Sequence, residues 1–203
     1  MKIFCVGRNY ADHAKELGND IPTEPVIFMK PKSALVQGHT PFYYPEFTNE
    51  LHYEAELVIR ISKNGKYIQE KHASNYYNGI TVGIDFTARD IQNQLKEARL
   101  PWEKAKAFDN SAAVGKFLEI NNTFDRKNVN FSFLKNKELV QKSNSKEMIF
   151  SIDQVVANIS NFFSLNIGDL VFTGTPSGVG ECMVGDVMEA FLEKDSVLTL
   201  EVK

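Results

Sequence analysis

The chain has 203 residues, 43% of them hydrophobic and 24% charged, with a formal net charge of −3, which is the composition of a globular protein long enough to bury one sizeable core. Lysine and arginine are spread without a basic block, which argues against nucleic acid or any partner held mainly through phosphates. Cys5 and Cys182 are too few and too far apart for a disulfide framework or a zinc knuckle, and no apolar run reaches the ~18 residues of a membrane span or forms a secretory signal. A single cytoplasmic domain over residues 1–203, with no membrane segment, is expected.

Ile3 to Val6 predicts a short strand ended by Gly7, after which Arg8 leads into a short helix over Tyr10 to Leu17, stopped at Gly18-Asn19-Asp20. His13 and Glu16 are three apart and share a helix face. A glutamate that accepts a proton from one imidazole nitrogen leaves the other free to activate water. A solvated pair on an amphipathic helix is the plain alternative. Residues 18 to 25, with Pro22 and Pro25, form a breaker-rich connection placed where a lid would be. Val26 to Met29 is a strand ending at Lys30-Pro31, where Lys30 is either a ligand-facing cation or a lysine snorkelling from a strand end.

Leu35 to Pro45 reads as a short strand, a Gln37-Gly38 turn and an aromatic patch. The segment Leu51 to Ile61 alternates: Tyr53, Ala55, Leu57, Ile59 and Ile61 on one face, His52, Glu54, Glu56, Val58 and Arg60 on the other. Glu54 and Glu56 then point the same way, about 6.5 Å apart along a strand. Such a pair shares a proton, pairs with lysine or arginine, holds a hard metal ion through oxygen ligands, or decorates a solvated edge. Asn64-Gly65, between Ile61 and Tyr67-Ile68, predicts a hairpin.

Ile80 to Ile84 is a strand with Asp85 at its end, a rigid perch from which a carboxylate faces a cleft. Thr87 with Asp90 predicts a capped helix over Ala88 to Arg99, stopped by Pro101, with Arg89 and Gln92 stacked at i, i+3. Pro101 to Asp109 reads as a turn carrying the only tryptophan and Lys106. Strands follow at Ala112 to Gly115 and Val129 to Leu134, the second turning through Lys135 to Glu138 into Leu139-Val140. Ser151 and Gln154 predict a capping box for a helix with Ile152, Val155, Val156, Ile159, Phe162 and Phe163 on its buried face. A strand over Ile167 to Thr173 runs into Gly174 to Gly180, a glycine-rich loop whose amides can approach an anion, or a plain turn. Gly185 to Phe191 and Val197 to Val202 close the chain as strands.

Six stretches, GRNYADHAKE (7–16), FMKP (28–31), HYEAEL (52–57), GIDFTARDIQ (83–92), PWEKAKAFD (101–109) and TGTPSGVG (173–180), resemble in order the motifs of the fumarylacetoacetate hydrolase family. The likeness is nearest to its short members, similar to acylpyruvate hydrolases and oxaloacetate decarboxylases. It implies an α+β, β-rich fold, a mixed β-sandwich roll with short flanking helices, and a homodimer with one Mg²⁺ or Mn²⁺ per chain. On the matching positions it implies Glu54, Glu56 and Asp85 as metal ligands. His13 and Glu16 become the base dyad on a helix that orders with substrate, with Lys106 as a further catalytic cation. Arg8, Lys30, Arg89, Gln92 and Thr175 fall on substrate or supporting positions.

The implied substrate is a small 2-oxo acid. Cleavage of the bond to C3, in an acylpyruvate or in oxaloacetate, leaves a pyruvate enolate whose charge the metal stabilises. Keto-enol tautomerisation needs only proton transfer in the same site. Isomerisation or hydration of a hydroxy-dienedioate from aromatic catabolism is the alternative within the family, and a catalytically silent binding member the alternative outside enzymes.

Overall fold

The computed structural model describes residues 1–11, 21–36, 41–121 and 123–203. His13, Glu16 and the expected Gln37-Gly38 turn lie outside the described residues.

In chain order the first strands are β1 (Ile3–Gly7), β2 (Val26–Lys30), β3 (Leu51–Tyr53), β4 (Ala55–Ile61), β5 (Tyr77–Asp85), β6 (Thr87–Ala88), β7 (Ala112–Val114) and β8 (Leu118–Glu119). They are followed by β9 (Asn130–Lys135), β10 (Glu138–Asn144), β11 (Leu170–Phe172), β12 (Gly180–Glu181), β13 (Val187–Leu192) and β14 (Asp195–Glu201). The helices are α1 (Glu70–Ala73), α2 (Arg89–Glu97), α3 (Glu103–Lys106) and α4 (Ile152–Phe162).

The strands make three sheets, ordered β2-β1-β11-β4-β5-β7 with β8 on β5, β10-β9-β13-β14, and β12-β3-β6. The ladder between β1 and β11 is parallel and the other ladders are antiparallel. This is the strand-rich mixed sandwich expected. Leu57, Ile59 and Ile61 of β4 enter the main core with Phe131 and Phe133 of β9, Met188 and Ala190 of β13, and the buried face of α4. Val58 lies on the opposite face, in a smaller cluster with Ile3, Cys5 and Phe172. Both faces of β4 are covered, which is why its sequence is apolar nearly throughout.

Three local expectations change. The single strand expected over Leu51 to Ile61 is broken at Glu54, because β3 and β4 belong to different sheets. The Asn64-Gly65 hairpin is absent: β4 pairs instead with β5, from Ala55↔Ile84 to Ile61↔Tyr77, a long apolar ladder that two residues at Tyr67-Ile68 cannot rival. Asn64 and Gly65 serve another partner, with Asn64 Oδ1 accepting from Ile167 N–H and Gly65 bridging Leu165. Thr87 does not cap α2. Its N-cap is Ala88, without a side-chain cap, while Asp90 accepts from the Thr48 hydroxyl and from Asn49 N–H.

Elsewhere local signals hold. Ser151 and Gln154 form the capping box of α4, and Asn136 and Lys137 both take positive φ, 52° and 69°, as a tight β9–β10 hairpin requires. Phe162 and Phe163 depart from the expected buried face, at 64% and 37% exposure.

Candidate active site

The site forms where the chain leaves one sheet for another. Glu54 is the residue between β3, which pairs with β6 and β12, and β4, which pairs with β5 and β11. Glu56 stands opposite Gly83, and Asp85, two residues further along β5, projects from the same face as its diagonal neighbour. Asp85 N–H donates to Glu54 C=O at 2.8 Å, tying the end of β5 to the junction. Among the described residues, Glu54, Glu56 and Asp85 form the group that brings one ligand oxygen each to within 4.8 Å of one another, all buried.

Cations surround two of the three acids. Lys106 Nζ donates to Glu54 Oε2 at 2.7 Å, Asp85 Oδ2 at 2.8 Å and Thr87 Oγ1 at 2.6 Å, which uses all three of its N–H bonds. Arg89 Nη2 donates to Glu54 Oε1 and Nη1 to Gln92 Oε1, each at 2.5 Å, while Nε donates to His52 Nδ1 at 3.3 Å. Lys30 Nζ lies 2.7 Å from Asp85 Oδ1, a charge contact rather than an aligned hydrogen bond. Its N–H groups are directed at the carbonyls of Lys106 and Ser111 and at the Ser111 hydroxyl. Burial opposes the Lys106 charge, but Asp85 and Glu54 outweigh it and hold the ammonium above its ordinary range.

Glu56 differs. Among the described residues no cationic side chain pairs with it, and its carboxylate Oε2 accepts from Gly174 N–H at 2.6 Å. Burial, then Asp85, pushes its carboxyl well above the usual range, with Glu54 adding to the rise and the Gly174 bond and Lys106 opposing it. Gly174 has φ +103°, and a Cβ there would lie 2.6 Å from Asn9 Cβ, so the amide that holds Glu56 depends on glycine. The carboxyl group that the glycine-rich loop holds is therefore that of Glu56 itself.

An all-oxygen donor set with one acid lacking a positive partner fits a hard divalent cation. The cavity beside it is a void of about 440 Å³ including its open mouth. The geometry is that of a buried acidic cluster beside fixed cations, with donors suited to a metal ion.

The chain is matched over residues 2–203 by the family described as Fumarylacetoacetate (FAA) hydrolase C-terminal. It belongs to the fumarylacetoacetate hydrolase family. It is 42% identical to a mitochondrial oxaloacetate decarboxylase of Dictyostelium discoideum, over 93% of this chain and 87% of the relative. An oxaloacetate tautomerase of Escherichia coli (strain K12) is 40% identical over 98% of this chain and 91% of its own length. The crystal structure of fumarylpyruvate hydrolase from Pseudomonas aeruginosa, in complex with Mn²⁺ and pyruvate, superimposes with a TM-score of 0.93 at 38% identity, over 100% of this chain and 89% of that one.

In this member of the family, Arg8, Glu54, Glu56, Asp85, Arg89, Gln92, Lys106 and Thr175 all line the one cavity. Lys30 does not. It is fully buried behind Asp85, where it supports that carboxylate and the backbone of Lys106. Lys96, Phe28 and Trp102 also line the cavity; Lys96 was not singled out in the sequence, and Phe28 and Trp102 stood there only within the quoted motifs, with no role assigned. Thr87, read as a helix cap, holds Lys106 instead. Gln141, from the β9–β10 hairpin, reaches the site through a buried hydrogen-bond ring and was not singled out at all.

Proposed function

We propose that the chain is a divalent-metal-dependent enzyme of small 2-oxo acids that cleaves the C–C bond of acylpyruvates, decarboxylates oxaloacetate or tautomerises it. The observation that carries this reading is the convergence of Glu54, Glu56 and Asp85 inside a cavity walled by Arg89 and Lys106. The names of the relatives supply the substrate class: oxaloacetate for two of them, fumarylpyruvate for the third.

Glu54, Glu56 and Asp85 would hold the ion, Mg²⁺ or Mn²⁺. When bound it supplies Lewis-acid polarisation of the 2-oxo group. Lys30, Lys106 and Arg89 stand against the three acids, and Arg8 and Lys96 line the same cavity, so a bound dication leaves the site net positive. That sign suits the carboxylate of a 2-oxo acid and the charge that develops on its 2-oxo oxygen as the bond to C3 breaks. Gln92 gives its amide oxygen to Arg89, which turns its NH₂ end toward a substrate carboxylate. Lys106 is clamped by Glu54, Asp85 and Thr87, so its charge is in place before the reaction and needs no reorganisation. His13 and Glu16 would take a proton from water attacking the distal carbonyl of an acylpyruvate.

The same reading takes the active species to be a homodimer. A cytoplasmic setting suits two buried free cysteines, and no helix among the described residues is long and apolar enough to cross a membrane.

The test is a substrate panel with purified protein and Mg²⁺ or Mn²⁺. Pyruvate release from acylpyruvates, or turnover of oxaloacetate, is expected and should vanish on chelation and in Glu54→Ala. Full turnover without metal, or activity confined to hydroxy-dienedioates, would overturn the reading.

A further inference from the structure

Ala55 lies between two of the candidate metal ligands, and neither of its outward-facing backbone groups is held by a neighbouring strand. On the inner side it pairs with Ile84 of β5. On the other side β11 accompanies β4 only as far as Val58, with Thr173 N–H reaching Leu57 C=O, and then peels away into the Gly174 loop. Side chains take over from there. Gln141 Oε1 accepts from Ala55 N–H at 3.0 Å, and Thr175 Oγ1 donates to Ala55 C=O at 2.9 Å. Gln141 Nε2 closes the ring by donating to Thr175 Oγ1 at 2.9 Å and to Pro176 C=O at 3.0 Å.

Gln141 is 1% exposed, and all its polar capacity but one acceptor site is spent in this ring. It reaches the ring because β10 is irregular there: the register with β9 shifts between Leu139 and Gln141, a bulge that turns the side chain inward from an edge strand. Gly178 closes over the bulge with φ +93°, so near Val140 C=O that a Cβ would sit 2.3 Å from the oxygen.

We propose that Gln141 is a positioning residue for the metal centre. By holding the peptide between Glu54 and Glu56, and with it the loop whose Gly174 amide grips Glu56, it sets the separation and aim of the two glutamates. The proposal rests on the metal-centre reading above and assigns Gln141 no contact with substrate.

The experiment measures Mn²⁺ affinity by titration calorimetry without substrate, alongside thermal unfolding of the metal-free protein. The variants are Gln141→Met, Thr175→Val and Thr175→Ser, with Ser143→Ala as a control from the same strand whose hydroxyl bonds Glu147 instead. Breaking the ring with Gln141→Met or Thr175→Val should weaken Mn²⁺ binding about 10- to 100-fold, the usual cost of losing an outer-shell partner. Thr175→Ser, which keeps the hydroxyl, should retain it, and Ser143→Ala should lower thermal stability without moving Mn²⁺ affinity. If Gln141→Met fails to fold, the Thr175 pair gives the same comparison. Mn²⁺ bound by wild type and lost in Glu56→Gln but unchanged in Gln141→Met and Thr175→Val overturns the role of Gln141 alone. Loss of affinity in Ser143→Ala equal to that in Gln141→Met makes the effect general destabilisation and likewise overturns it. Failure of wild type to bind Mn²⁺ overturns the metal centre and the role together.

Discussion

The Lys106 ammonium donates to Glu54 Oε2 at 2.7 Å, and each of them also has a second opposite charge within reach: Asp85 for Lys106, Arg89 for Glu54. Replacing Lys106 by methionine therefore leaves neither acid bare, since Asp85 retains Lys30. The metal-free protein should lose about 1–3 kcal/mol, the cost of deleting one charged hydrogen-bond partner, while Mn²⁺ affinity holds or tightens as a competing cation disappears. Turnover should fall about 10²- to 10³-fold, as for a lost preorganised charge. Steady-state kinetics beside Mn²⁺ titration checks this; undiminished kcat would remove Lys106 from the chemistry.

Glu56 and Asp85 should respond differently to mutation although both are candidate ligands. Asp85→Ala strands Lys30, whose side chain is fully buried, and weakens the setting of Lys106. Breaking a buried pair from one side costs about 3–5 kcal/mol, so this variant should lose Mn²⁺ and much of its stability. Glu56→Gln strands no cation and replaces a carboxyl already pushed toward its neutral form. It should lose Mn²⁺ binding with metal-free thermal stability kept or raised. Equal destabilisation in the two variants would contradict the charge pairing described.

The Glu56 shift has a sign that calorimetry can read. Its folded pKa lies above the unfolded value, because burial and Asp85 disfavour the charge. This contribution stabilises the metal-free fold below the unfolded pKa and is lost as pH rises through the folded one. Mn²⁺ must displace that proton, so affinity should fall as pH drops through the same window above the usual carboxylate range, with proton release visible as a dependence of binding heat on buffer. Absence of release, with affinity independent of pH through that window, would show Glu56 ionised before the ion arrives.

What could be read from the sequence was whatever is decided locally. The β9–β10 hairpin rests on an alternating strand and a four-residue turn, and α4 on a capping box and a 3.6-residue period; the hairpin and the capping box stand as read, while the helix's buried face stops short of Phe162 and Phe163. Asp85 at a strand end and Arg89 above Gln92 were also visible, since one element carries each. Glu54 was misjudged in one respect. Period two places Glu54 and Glu56 on one face of one strand, whereas the chain changes sheets at Glu54, a choice made by partners dozens of residues away. Lys106 looked like a turn lysine because its acids come from other elements, and Gln141 sits among polar hairpin residues with nothing local to mark it as buried.

Both thiols should be silent in the native protein. Burial pushes Cys182 up to about 12, with Asp186 adding to the rise, and burial followed by Asp85 raises Cys5 well above its ordinary value. With the thiolate as the reactive form, an aromatic disulfide reagent at pH 8 should find neither cysteine quickly, and both after denaturation. A fast native thiol would place one of them at the surface, contrary to the 0% exposure of each.

His13 should matter to one reaction and not to its relative. Hydrolysis of an acylpyruvate needs a water deprotonated as it attacks the distal carbonyl, the task proposed above for His13 with Glu16. Decarboxylation of oxaloacetate sheds CO₂ without any attacking water and needs only the cations around the 2-oxo acid. His13→Ala should therefore reduce acylpyruvate hydrolysis about 10²- to 10⁴-fold, the range of general-base contributions, and leave oxaloacetate decarboxylation within a few-fold of wild type. Pyruvate release from the two substrates, followed side by side with the same enzyme stock, decides it. A parallel loss in both would move His13 from proton transfer to binding or closure, since the two reactions share everything except the water.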